Sequence, residues 1–213
     1  MKTGSRELPE GFTEFAVFDL SGNVVNRRVS NIMHFASAIF FVPLFAGVTA
    51  AVRPGRPLDP VELWSAGVPG LGALGSLAAA FILVVAVLYG HGLVHWAAFR
   101  VLGGALPTFT TRGLSFSVSA PEWVLGKRTI LAVTVLPFFV ISSLGAVLLA
   151  FVPGNGIAWV YLPVVANGIA SARDILTLSW LLVTPKGSLF THAGELLTAY
   201  APPGTDPLPT GRS

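Results

Sequence analysis

The chain of 213 residues contains no cysteine, and charged residues are few. The missing cysteine excludes disulfide bonds and any metal or cluster held by thiolates, so a bound metal would need histidine and carboxylate ligands. Charged residues make up 11% of the chain, whereas an ordinary soluble domain has about 25%. The net charge of +3 is not gathered into a basic block, so nothing in the sequence supports nucleic-acid binding.

The chain is unusually rich in hydrophobic residues. Hydrophobic residues make up 53% of it and the mean hydropathy is +0.74, which is typical of an integral membrane protein. Four apolar stretches exceed the roughly 20 residues needed to cross the hydrocarbon core of a bilayer. The predicted spans are residues 31–52, 71–99, 129–152 and 156–183. We therefore expect an all-α integral membrane protein with about four transmembrane helices, and the lipid bilayer as its first partner.

These spans divide the chain into three parts. Residues 1–30 are mixed and polar, unlike a secretory signal peptide, and form a predicted N-terminal segment. Residues 31–187 form the predicted membrane domain. Residues 188–213 form a predicted C-terminal tail, which is partly disordered because it is rich in proline and glycine from Ala201 onwards.

Basic residues flank the predicted spans unevenly. They precede the first span, occupy the loop between the second and third spans, and follow the fourth: Lys2, Arg6, Arg27, Arg28, Arg100, Arg112, Lys127, Arg128 and Lys186. The positive-inside rule then places both termini and the 100–128 loop in the cytoplasm. Arg53 and Arg56, in the first loop, argue for the opposite orientation.

The 100–128 loop has the alternation of a β-strand. Leu114, Phe116 and Val118 alternate with serines, and the segment Thr108 to Thr111 is also β-prone. Because Arg112-Gly113 can turn, we predict a small hairpin here. It would be either a structural flap or an exposed edge that captures an extended peptide by strand addition. A shorter strand is predicted near Phe15 to Leu20, followed by a turn at Ser21-Gly-Asn.

Five ionisable residues lie inside the predicted spans, where such groups are costly and usually face a partner or a water-filled cavity. They are His34, His91, His95, Arg173 and Asp174. His91 and His95 stand four residues apart, the spacing that places two imidazoles on one face of a helix and lets them chelate zinc. The zinc-protease version of this motif is HExxH, whose glutamate is the general base. In this chain that position is Gly92.

Depth in the membrane favours Asp174 as a third ligand. At about 1.5 Å rise per residue, His91 and His95 lie roughly 13 and 8 Å before Arg100, and Asp174 lies roughly 18 Å before Lys186. In the predicted topology all three fall in the cytoplasmic half of the membrane. They would make a two-histidine, one-carboxylate zinc site with a fourth position left for water. Asn167, seven residues before Asp174, shares nearly the same helix face and could donate a supporting hydrogen bond.

Other roles are open for these residues. A lone intramembrane histidine such as His34 is most often a packing or interfacial residue, and His192, beyond the last span, is expected to be solvated. Arg173 could neutralise Asp174, although adjacent helical residues point about 100° apart. A b-type haem held by His34 and His91 is a weaker alternative. A transporter has no internal repeat to support it.

Several short motifs, taken in order, resemble a family of bacterial and archaeal polytopic membrane proteins described as zincin peptidases. These motifs are Leu8-Pro-Glu-Gly-Phe12, Phe18-Asp-Leu20, the His91–His95 helix, Leu106-Pro-Thr-Phe109, Leu136-Pro-Phe-Phe139 with Ile141-Ser142, the Asn167, Ser171 and Asp174 segment, and Pro185-Lys-Gly187. The arrangement is also similar to site-2-type intramembrane metalloproteases, which pair HExxH on one span with an aspartate on a later one.

The resemblance implies that His91, His95 and Asp174 are zinc ligands and that Asn167 and Ser171 support them. It also implies a multi-pass protein of a prokaryotic plasma membrane with a membrane-protein or peptide substrate. Gly92 departs from the pattern because it cannot take a proton from water, and Glu122 and Glu195 lie outside the spans. Two functions therefore remain: a zinc metallopeptidase whose activity is weakened or lost, or a non-catalytic relative that binds a partner or a metal.

Overall fold

The computed structural model describes residues 4–19, 24–55, 72–112 and 115–205, and within them it contains both helices and strands. The strands are β1 (Thr13–Asp19), β2 (Thr108–Arg112), β3 (Ser115–Gly126), β4 (Leu189–Ala193) and β5 (Leu196–Ala201). The helices are α1 (Val24–Val52), α2 (Gly72–Gly103), α3 (Lys127–Phe151), α4 (Ile157–Ala170) and α5 (Ala172–Val183), with a 3-10 turn at Gly154–Gly156. The prediction of an all-α protein is therefore wrong.

All five strands belong to one antiparallel sheet with the order β1-β5-β4-β3-β2. The first half of β3 pairs with β2 and its second half with β4, with an irregularity between Ala120 and Leu125. The predicted hairpin in the 100–128 loop is confirmed by the β2–β3 pairing, but its turn at Gly113 lies outside the described residues. The predicted N-terminal strand is confirmed as β1, and the turn proposed at 21–23 again lies outside them.

Two strands occupy the segment that was predicted to be a tail. Residues 189–201 alternate in burial and join β4 to β5 through the two-residue turn Gly194-Glu195. Gly194 has φ +63, as the first central position of a tight type II′ hairpin requires. The hairpin supplies the inner strands of the sheet, which is why the fold is a mixture of helices and strands. The predicted disorder from Ala201 onwards starts too early, because Ala201 ends β5, and residues 206–213 lie outside the described residues.

Three of the described helices are long and apolar enough to cross a membrane: Arg28–Val52, Gly72–Gly103 and Lys127–Phe151. Many of their large apolar side chains, such as Phe35, Leu74 and Phe139, are exposed, which is compatible with a membrane protein. The predicted fourth span, 156–183, is two shorter helices, α4 and α5, that are separated at Ser171. The Ser171 hydroxyl donates to the carbonyl of Asn167 at 2.9 Å, a local bond that competes with the helical ladder.

The described chain divides into two compact units, and α2 and α3 each contribute to both. One unit comprises Met1–Ser30, Gly92–Leu136 and Arg173–Ser213. In it the sheet packs against the end of α2, the start of α3 and α5. Its core residues are Ala98, Phe99, Ala105, Val118, Ala120, Leu125, Ile130, Val133, Leu181, Phe190, Leu197 and Ala199. The Lys127 ammonium donates to the Thr184 carbonyl at 2.6 Å and so joins the first residue of α3 to the end of α5.

The other unit comprises Asn31–His91 and Pro137–Ala172 and is built from helices. In it the Tyr161 hydroxyl of α4 donates to the Val42 carbonyl of α1 at 2.7 Å. Arg53 binds the carbonyls of Leu149 and Val152 at the end of α3, where a cation complements the negative end of the helix dipole. Arg53 therefore has a structural role, which weakens it as evidence about topology.

We predict that Gly145→Ala destabilises the protein while Gly47→Ala does not. A Cβ at Gly145 would overlap the side chain of the buried Val164, whereas a Cβ at Gly47 meets nothing within 4 Å. Overpacking costs about 1–3 kcal/mol, which exceeds the roughly 1 kcal/mol by which alanine favours a helix over glycine. Thermal unfolding midpoints in detergent would test this, and equal midpoints for the two variants would contradict the packing described.

Candidate metal centre

The two histidines of α2 are oriented by their Nδ1 atoms. His91 Nδ1 lies 2.9 Å from Asn167 Oδ1 of α4, and His95 Nδ1 lies 3.0 Å from the Val133 carbonyl of α3. Both partners are oxygens that accept, so each Nδ1 carries the proton and donates it. Each Nε2 is then left with a lone pair, the arrangement that metal-binding histidines adopt when their other nitrogen is tied to a carbonyl or carboxylate.

Asp174 meets the second of these histidines. It lies in the first turn of α5, with its Oδ1 3.4 Å from His95 Nε2. When His95 carries its proton on Nδ1, a lone pair faces a carboxylate oxygen across this distance, and that contact is repulsive unless a cation lies between them. A second proton on His95 would satisfy the pair, and so would a metal ion.

A third possible ligand nearby favours a metal ion over a second proton on His95. One atom from each of His91, His95 and Asp174 can be chosen such that all three lie within 4.8 Å of one another. Ligands at about 2.0–2.1 Å from a tetrahedral zinc ion are about 3.3 Å apart, close to the 3.4 Å between His95 and Asp174. His91 is buried, while His95 and Asp174 are partly exposed, which leaves a route for water. These three residues could therefore hold a metal, and their oxygen and nitrogen donors suit zinc.

Asn167 and Ser171 support His91 in different ways. Asn167 is fully buried, and besides meeting His91 its Nδ2 donates to Ser142 Oγ at 3.3 Å, which fixes the amide with its oxygen towards the imidazole. Ser171 acts on the backbone instead, through its bond to the Asn167 carbonyl. The role of both residues in supporting a metal site stays a prediction. Asn167 was expected to donate a hydrogen bond, whereas its Oδ1 accepts from His91 in the structure.

The neighbourhood of Gly92 offers no carboxylate from α2. Gly92 is buried, and Glu122, on β3, is exposed. Glu195 does fold back: its Oε1 lies 2.9 Å from Arg173 Nη1, so an ion pair joins the β4–β5 turn to the residue beside Asp174. His34 is half-buried on α1 and is not one of the grouped ligands.

His192 was expected to be solvated, and that expectation is wrong. It lies on β4 with its Nδ1 buried and without a hydrogen-bond partner among the residues that the structure describes. Its ring is 5.5 Å from that of Phe99. Burial, together with the charge of His95, lowers the pKa of His192 to about 4, and Asp174 opposes the shift. The β-prone residues Leu189-Phe-Thr191, followed by a turn residue at Gly194, could have indicated a strand here, but not which of its faces is buried.

A protein-family model described as "Putative zincin peptidase" matches residues 81–189, just over half of the chain. The chain belongs to this family. The matched segment contains all three candidate ligands together with Asn167 and Ser171. No curated protein and no solved structure shows significant similarity to the chain.

We predict about one zinc ion per chain in detergent-purified protein supplied with zinc, and none in His91→Ala or Asp174→Ala. Each of these substitutions removes one of three protein ligands from the group, whereas His34→Ala leaves the group intact. Elemental analysis of the four proteins measures this directly. Equal zinc in the parent and in both ligand variants would exclude the site.

We also predict that Asn167→Leu weakens zinc binding about 10–100-fold, the range usual when a partner that orients a metal-binding histidine is lost. Leucine keeps the volume of the side chain but cannot accept the proton of His91 Nδ1. Ser142→Ala is the graded control, because Ser142 contacts only the far side of the same amide. Zinc affinities from competition with a chelator should rank the parent first, Ser142→Ala second and Asn167→Leu last; an unchanged affinity in Asn167→Leu would count against this role.

Proposed function

We propose that the protein is a membrane-embedded, zinc-dependent peptidase whose activity is weakened by Gly92. The observation that supports this most is the grouping of His91, His95 and Asp174, with both histidines already turned to present Nε2. In a solvated surface cluster of histidines, water would satisfy the Nδ1 atoms, and no protein partners would be required to orient the rings. Membership of the zincin peptidase family supplies the class of reaction, which is hydrolysis of a peptide bond.

In this proposal the chain's own residues hold the site in place. A zinc ion bound there would polarise a peptide carbonyl and lower the pKa of a water molecule. Asn167 and the Val133 carbonyl fix the two imidazoles, and Asp174 contributes a negative charge beside His95. The partial exposure of His95 and Asp174 leaves room for a water molecule and for the substrate.

Gly92 limits the rate because it lacks a group that accepts a proton. In HExxH motifs the glutamate at this position takes the proton from the attacking water. A positioned acid–base residue contributes about 10²–10⁴-fold to a rate, and a glycine contributes none of this. The proposed enzyme is therefore slow, unless another residue takes over the role.

The proposed setting is the plasma membrane of a prokaryote, with both termini in the cytoplasm. Three helices apolar enough to span a bilayer support the membrane, and the flanking basic residues support the orientation. Two termini on one side need an even number of crossings, so in this proposal α4 and α5 together make the return crossing. The pairing of β1 with β5, which come from the two ends of the chain, supports that return. His91 and His95 lie within the last three turns or so of α2, near Arg100, so the proposed substrates are membrane-proximal or transmembrane polypeptides reached near the cytoplasmic face.

A non-catalytic role is the second candidate, and Gly92 is the observation that favours it. A family member that keeps the metal ligands but lacks the base could bind zinc or a membrane partner without hydrolysing a peptide bond. The two candidates differ in whether the zinc-loaded parent cleaves an unfolded polypeptide at a rate that depends on His91 and Asp174.

We predict that Gly92→Glu raises the rate of cleavage of dye-quenched casein while zinc content stays the same. The gain reaches about 10²–10⁴-fold if no other residue acts as the base, and it is smaller if one does. Gly92→Gln is the matched control, since it has the same length and no basic oxygen. Fluorescence assays in detergent would measure both. Equal rates for the Glu and Gln variants would contradict the assigned role of this position, and a gain from a parent with no measurable activity would establish the non-catalytic reading.

A further inference from the structure

We propose that His192 accepts the proton that a glutamate at position 92 would otherwise take, so that the missing base is supplied from the sheet. The inference deepens the proposed peptidase function and rests on it. In the proposed step the oxygen of a water molecule bonds to the carbonyl carbon of the peptide, and a water proton moves to the His192 imidazole. The imidazolium then gives this proton to the amine nitrogen as the C–N bond breaks.

The position of His192 in the sheet directs it towards the helices. His192 and Phe190 are two residues apart on β4 and so share one face of the strand. Phe190 is fully buried in the core, with its ring 6.0 Å from Trp180 of α5. The face of β4 that carries His192 is therefore the face that packs against the helices, and the side chain is half-buried there with its Nδ1 inside.

Phe99 places His192 close to the candidate ligands. The rings of Phe99 and His192 are 5.5 Å apart, and Phe99 is four residues after His95 on α2. His91, His95 and Phe99 recur every four residues, so they lie along one face of that helix. The ring of His192 thus contacts the same face as the candidate ligands, one helical turn beyond His95.

The electrostatics support proton transfer at this place. Burial is the main cause of the low pKa of His192, and Asp174 on α5 opposes that shift. The Arg173–Glu195 ion pair adds no net charge at the β4–β5 turn. With its pKa at about 4, His192 is neutral at pH 7 and has a nitrogen lone pair available.

The buried Nδ1 of His192 adds a second argument. Leaving a buried polar atom without a partner costs about 1–3 kcal/mol, and such an atom invites a functional explanation. A merely structural histidine would normally have a hydrogen-bond partner for a nitrogen buried in this way. Glu195 is the other candidate for the role, but its carboxylate is held by Arg173.

The first test compares His192→Asn with His34→Asn, which changes the one histidine that lies apart from this cluster. We expect about one zinc per chain in both variants, and a rate of casein cleavage about 10²-fold lower in His192→Asn alone. The acidic limb of the kcat/KM pH profile should also disappear in that variant. If His192→Asn does not fold, His192→Gln replaces it, with the unfolding midpoint in detergent as the check.

The second test separates a base from a structural residue. In a Gly92→Glu background the new carboxylate supplies the base, so His192→Asn should then change the rate less than about threefold. An equal loss in both backgrounds would overturn the proposal and assign His192 a packing role. A readout that needs no substrate is the NMR signal of the His192 ring, which cobalt(II) loading should shift or broaden; an unchanged signal would also overturn the proposal.

The outcomes distinguish this inference from the proposed function. A parent that binds no zinc rejects both. A parent that binds zinc without cleaving casein rejects His192 as a working base, although the metal site stands. A parent that cleaves casein as fast as His192→Asn rejects the inference alone and leaves the peptidase function in place.

Discussion

The contact between His95 and Asp174 is the constraint on which the site depends. A nitrogen lone pair and a carboxylate oxygen at 3.4 Å repel each other unless a metal ion or a second proton lies between them, so without either the surrounding fold has to hold them together. Four contacts hold α5 in place for this purpose. The ring of Trp180 packs on Phe18 and Phe190, Arg173 pairs with Glu195, and Lys127 binds the Thr184 carbonyl after the last turn.

The sheet contributes to holding Asp174 beside His95. Phe18, Phe190 and Glu195 all come from its strands or the turn between two of them. The position of Asp174 therefore depends on residues from both ends of the described chain. An aspartate on one uninterrupted apolar span would have no such support. The separation of α4 from α5 at Ser171 lets α5 pack on the sheet while Asn167, on α4, remains bonded to His91.

The parts of the structure that could be predicted are those that depend on the spacing of residues close together in the sequence. His91 and His95 follow from a four-residue interval, and the β2–β3 hairpin follows from alternating serines. Asp174 could be proposed by depth, since few polar groups occur in the apolar stretches. Asn167 was proposed from a shared face of one continuous helix, whereas it lies on α4 and Asp174 lies on α5. The helix break at Ser171 could not be predicted, because hydropathy is continuous from 156 to 183 and Ser171 has no proline or glycine beside it to signal the end of a helix.

The strands β4 and β5 were missed for a different reason. They are five and six residues long and stand beside a segment rich in proline and glycine, so composition outweighed their alternation. When β4 and β5 are not recognised, His192 is interpreted as a solvated histidine in a C-terminal tail. With β4 paired to β3 and β5, its side chain must lie on the face of the strand that Phe190 buries. Long-range pairing therefore decides what this residue can do, and no local pattern contains that information.

The location of the base has a physical consequence for the site as a whole. A glutamate on α2 would stay beside the histidines whatever the sheet does, because one helix carries all of them. A histidine on β4 approaches the site only while the sheet is packed against Phe99. Proton transfer would then depend on the folded sheet as well as on the metal ligands. A substrate or partner that adds to the exposed edge strand β2 could act on that packing without touching the ligands.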